Sequence, residues 1–95
     1  MPYSVDNTYR NITAAATTVC KAGSGNLHTI TLNNLAASSV VTIFDNTAGS
    51  GTIIGTFTQA AAVSAVPITL TYDVRFNIGL TIVTTNTNDI TVSFN

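Results

Sequence analysis

The chain has no tryptophan and no glutamate, and a single cysteine, methionine and histidine among its 95 residues. Cys20 alone allows no internal disulfide, and on a strand it reads as a small buried hydrophobe. A nucleophilic role would need a base nearby, and His28 is the only histidine. One histidine and no glutamate also fall short of the three or four ligands of a zinc site. The cations are Arg10, Lys21 and Arg75, well separated, where phosphate binding needs clustered Lys and Arg; nucleic acid and an anionic membrane surface are therefore not expected partners. The acids are Asp6, Asp45, Asp73 and Asp89. A glycosidase pair would have to be Asp73 with Asp89 or Asp45, but Asp73 lies two residues from Arg75 on one strand face, the usual place for a surface ion pair. The loops at Asp45-Asn46-Thr47 and Asn86-Thr87-Asn88-Asp89 read as Asx-turns, without the spacing of a calcium loop. The expectation is a non-enzymatic protein with no metal and no cofactor.

No apolar run approaches the roughly 18 residues of a membrane-spanning helix. Met1 to Arg10 lacks the basic, apolar and small-residue order of a signal peptide, so Asn11-Ile12-Thr13 reads as a chance glycosylation sequon. Charged residues make up only 7% of the chain, against about a quarter in an ordinary domain. The surface must then be polar but uncharged, a surface that does not repel copies of itself or neighbours. A chain of this size supports one core, with an expected stability of about 5 to 14 kcal/mol.

What the chain does have is β-branched residues and turns. Val40 to Asp45 and Thr52 to Thr58 are rich in Val, Ile, Thr and Phe, and Asn46, Gly49, Ser50 and Gly51 lie between them, which predicts a hairpin. Ala22-Gly23-Ser24-Gly25 marks another turn. His28, Ile30 and Leu32 alternate with Thr29 and Thr31, predicting His28 on the same side as Ile30 and Leu32, as a hydrogen-bonded, partly buried residue and not a ligand. Val41 and Ile43 are expected on one face and Val40 and Phe44 on the other, with Ile53, Gly55 and Phe57 across from them. Ile68, Leu70, Tyr72, Val74 and Phe76 alternate most regularly, followed by Ile78, Leu80 and Ile82, and by Ile90, Val92 and Phe94. The faces of Ile68 to Phe76 and of Ile78, Leu80 and Ile82 form the expected core, and Ile90, Val92 and Phe94 make a last strand docked within a sheet. Gln59 to Val66 reads as a loop, and Pro67 as the start of a strand. About eight short strands joined by turns predict an all-β fold, an antiparallel β-sandwich with the jelly roll among its forms. Residues 1–8 read as an extended arm and residues 9–95 as the sandwich domain.

Four stretches carry a resemblance. They are Leu27-His28-x-Ile30-x-Leu32; Ile43-Phe44-Asp45-Asn46-Thr47-Ala48-Gly49-Ser50-Gly51-Thr52; Thr71-Tyr72-Asp73-Val74-Arg75-Phe76-Asn77-Ile78-Gly79-Leu80; and Asp89-Ile90-Thr91-Val92-Ser93-Phe94. Together they resemble small β-sandwich virion structural proteins of tailed bacteriophages, of the head decoration or cement kind. The resemblance runs from Val19 to Phe94, marks turns and core, and maps no catalytic residue. It implies a capsid decoration protein on the virion surface, made in the host cytoplasm and stabilising contacts between major capsid subunits. The implied partners are copies of itself, as a homotrimer, and the major capsid protein. The arm residues Pro2, Tyr3, Ser4, Val5, Asp6, Asn7 and Thr8 are the expected partner-binding segment. The alternative is a tail or fibre-tip module whose exposed Asn, Thr and Tyr contact host sugars.

Overall fold

A computed structural model of the chain describes residues 7–34, 38–59 and 68–95. It holds eight strands: β1 (Thr8–Ile12), β2 (Thr17–Ala22), β3 (Gly25–Asn34), β4 (Ser39–Asp45), β5 (Thr52–Gln59), β6 (Ile68–Phe76), β7 (Gly79–Thr84) and β8 (Asp89–Phe94). Sheet A has the order β1-β8-β3-β6, and sheet B the order β2-β7-β4-β5, all antiparallel. β1 pairs with β8, β2 with β7, β3 with β6 and β4 with β5. The chain is thus one long ribbon folded back at the β4–β5 hairpin and rolled into two sheets. That is the jelly-roll form of the expected sandwich.

The core lies between the sheets. Leu27, Ile30, Val41, Ile43, Phe76, Leu80, Ile82, Ile90 and Val92 have no solvent exposure, and Ile12, Leu32 and Phe94 have almost none. β8, central between β1 and β3, alternates without interruption, with Ile90, Val92 and Phe94 inward. β6 is an edge strand, so Leu70, Tyr72 and Val74 are half-buried against the core, and Ile68, expected in the core, is exposed at the strand's start.

Register shifts correct two further sequence expectations, and a turn corrects a third. In sheet A, β8 takes two steps from Phe94 to Val92, β3 takes three from Leu27 to Ile30, and β6 takes four from Val74 to Leu70. Each strand outward from β8 gains one residue, which bends the sheet at that corner. The shift puts Leu27, not His28, into the core. On β6, Asp73 adopts φ +48°, a left-handed conformation that Asp tolerates better than most residues. In sheet B, Ile43 pairs with Gly55 and Phe44 with Ile53, so Ile54 is the extra residue. Ile54 therefore packs against the core, and Ile53 turns outward. Ile78, expected in the core, falls in the turn between β6 and β7 and is 56% exposed.

The corners are tied by side chains. Thr84 Oγ1 donates to Ala14 O at 2.7 Å and accepts from Ala16 N at 3.1 Å, which pins the Ala14 to Ala16 corner between β1 and β2. The Gln59 to Val66 loop expectation and Pro67 lie outside the described residues, apart from Gln59, which ends β5.

Candidate functional site

Two broad surfaces are available, the outer faces of the two sheets. On sheet A the register rows cross all four strands. One row is Tyr9, Ser93, Thr29 and Thr71; the next is Asn11, Thr91, Thr31 and Thr69. Apart from Tyr9, at the edge, every side chain in these rows ends in a hydroxyl or an amide. Within the second row the Thr31 and Thr69 hydroxyls meet at 3.2 Å, and Asn33, two residues along β3 from Thr31, donates through Nδ2 to Thr91 Oγ1 at 3.1 Å.

At the bulged corner of the same face, His28 Nδ1 hydrogen-bonds Asp73 Oδ1 at 2.5 Å, with the two side chains 45% and 60% exposed. The expected partner of Asp73 was Arg75. The bulges bring His28 beside Asp73 instead, because both residues occupy the extra positions of their strands.

Sheet B differs. Its rows are Val19, Thr81, Phe44 and Ile53, then Thr17, Val83, Thr42 and Thr56. Neither row carries a charge. Val19 and Ile53 are 41% and 54% exposed, and Ile78 stands beyond the end of the sheet at the next turn. The loop between β4 and β5 folds back over part of this face. Thr81, fully buried, donates through Oγ1 to Asn46 O at 2.7 Å. A Cβ on Gly49 would lie 2.9 Å from Val83 Cγ2, and one on Gly79 would meet the carbonyl oxygens of Asn46 and Lys21, each at 2.9 Å. Glycine at both positions lets the loop lie flat on the sheet.

Asp45 fastens this arrangement. Its carboxylate accepts from Ile78 N at 2.8 Å, from Asn77 N at 3.0 Å to each oxygen, and from Gly79 N at 3.4 Å. These N–H groups hold the carboxyl below the usual carboxylate range, Ile78 first and Asn77 next, against a smaller opposing effect of burial. The expected Asx-turn at Asp45 is thus replaced by a brace across the chain, while its neighbour Asn46 does bond locally, through Nδ2 to Ser50 O at 2.7 Å. Asp89 is a second brace, accepting at Oδ1 from Asn11 Nδ2 at 2.7 Å and from Asn33 Nδ2 at 3.3 Å.

Of the expected partner-binding segment, Pro2, Tyr3, Ser4, Val5 and Asp6 lie outside the described residues. Asn7 Oδ1 accepts from Asn95 Nδ2 at 3.3 Å, and Thr8 already belongs to β1, paired with Phe94. Cys20 is half-buried at a bulge in β2 and packs against the core. Burial pushes its thiol up to about 11, with the Arg10 charge opposing. Among the described residues, no three His, Cys, Asp or Glu side chains stand together as metal ligands would. No protein-family model, curated protein or solved structure matches the chain.

Proposed function

We propose that the chain is a non-enzymatic virion structural protein of a tailed bacteriophage, a decoration or cement protein that docks on the assembled capsid through the outer face of sheet B. The observation that carries this reading is the row of Val19, Thr81, Phe44 and Ile53, which has no charge and leaves Val19 and Ile53 exposed on a protein that has polar residues to spare. Partly exposed aliphatic side chains at this density favour a protein neighbour over water.

The mechanism is mass action. A protein that binds the assembled shell and not its free subunits lowers the free energy of the shell relative to its parts. A four-strand face is roughly 20 Å on a side, about 400 Å² in projection, whereas a stable interface takes about 800 Å² per partner. One protomer therefore holds weakly. A homotrimer engaging several capsid subunits at once gains from high effective concentration, and residues 1–8 add contact area from each protomer.

Co-sedimentation with bare shells of the same virus's major capsid protein tests the reading. The full chain is expected to pellet with shells and raise their melting temperature. A chain lacking residues 1–6 should bind markedly less while melting close to the full chain. A protein that stays in the supernatant with intact shells, and is a monomer by light scattering at micromolar concentration, contradicts it.

A further inference from the structure

We propose that the outer face of sheet A binds a neutral glycan, at a site made by Tyr9, Asn11, Asn33, Asp89 and Thr91. The proposed shell contacts are different residues, the outer face of sheet B and residues 1–8. The strand order β1-β8-β3 brings these five residues together from three separate parts of the chain. Asn11 and Thr91 are register partners, and Asn33 reaches Thr91 from the other side at 3.1 Å.

The polar groups are held before any ligand arrives. Asn11 Nδ2 donates to Asp89 Oδ1 at 2.7 Å and to Ile90 O at 3.0 Å, and Asn33 Nδ2 donates to the same Asp89 oxygen at 3.3 Å. Both amide donors and one carboxylate oxygen are thereby committed. Asp89 Oδ2 and the amide oxygens of Asn11 and Asn33 receive no hydrogen bond from a described residue, so the cluster presents fixed acceptors on an exposed face. A ligand that answers them brings several O–H donors close together. Phosphate, sulfate and carboxylate groups bring acceptors and negative charge, which Asp89 repels.

Tyr9 selects among the donors. Its ring is 71% exposed on the same strand face, two residues from Asn11, or about 6.8 Å. An exposed aromatic ring beside a group of acceptors suits a hexose, whose C–H face packs on the ring while its hydroxyls turn to the acceptors. A bare calcium ion could use the oxygens but would leave the ring idle. The choice of a sugar rests on the pairing of the two.

The test is an amide NMR titration of the full chain with neutral oligosaccharides of gluco, galacto, manno and N-acetylglucosamine type, with sialyllactose and calcium chloride as controls. At least one neutral sugar is expected to shift the amides of Tyr9, Asn11, Asn33 and Thr91 with a saturable curve by about 10 mM. Tyr9→Ala should weaken that sugar about tenfold, the loss of one aromatic contact, and Thr71→Ala, on the same face but away from the cluster, should not. The Tyr9→Ala protein should still pellet with shells, which separates failure here from failure of the docking reading. Silence with all four sugar types, shifts confined to sheet B, an unaffected Tyr9→Ala protein, or a response to calcium or sialyllactose alone would overturn the proposal.

Discussion

Across sheet A one register row reads Asn11, Thr91, Thr31 and Thr69; across sheet B the comparable row reads Val19, Thr81, Phe44 and Ile53. Both faces cover the same core and both contain threonine, yet the threonines behave oppositely. Thr31 shares its hydroxyl with Thr69 near solvent. Thr81 is sealed under the β4–β5 loop and spends its hydroxyl on Asn46 O. Residue type alone does not decide the role of an outward position; what lies above it does. Sheet A is open and self-bonded, a face finished for water or for a polar ligand. Sheet B is half-roofed and carries no charge in either row, with Val19 and Ile53 exposed beside a row of three threonines and Val83.

The largest effect expected from this contrast is between inner and outer aliphatics of sheet B. Ile82→Ala, in the core, should cost about 2 to 5 kcal/mol in chemical denaturation, while Val19→Ala, on the outer face, should stay within about 0.5 kcal/mol. A large cost for Val19→Ala would mean that the outer face is already packed within the protomer. Next come the two threonines. Thr81→Val strands the Asn46 carbonyl and should cost about 1 to 3 kcal/mol, whereas Thr31→Val should change stability by under about 0.5 kcal/mol. Equal costs would erase the distinction between roofed and open faces.

A smaller effect follows from the Asp45 brace on the turn between β6 and β7. Its folded pKa is lowered, so its contribution to stability is complete above the ordinary carboxylate pKa of about 3.9 and is lost as pH falls through the lowered folded value. Between about pH 5 and pH 2 the wild type should lose melting temperature that Asp45→Asn has already lost at neutral pH. Parallel pH curves for the two proteins would remove the brace from the account.

Much of the fold was legible because alternation survives wherever register does. Phe76, Leu80 and Ile82 are inward as their spacing implies. His28 and Ile53 were misplaced because a single extra residue, on β3 or at Ile54 on β5, inverts the faces beyond it. Nothing in the local pattern marks those insertions. Ile78 fits the period but falls in a turn set by Asp45, more than thirty residues away. The polar face of sheet A was half visible, as Thr, Asn and Ser opposite each apolar set. The meeting of Tyr9 and Asn11 with Asn33, Asp89 and Thr91 was not, because it depends on β8 lying between β1 and β3.

The central claim is that sheet B docks and sheet A stays free, and a matched pair of inserted charges tests it most directly. Ile53→Lys and Thr71→Lys place the same side chain at exposed positions of the two outer faces, where neither should disturb the core. Co-sedimentation with bare shells is expected to fail for Ile53→Lys and to match the wild type for Thr71→Lys. Loss of binding in Thr71→Lys with Ile53→Lys unaffected, or equal binding by both, would contradict the account.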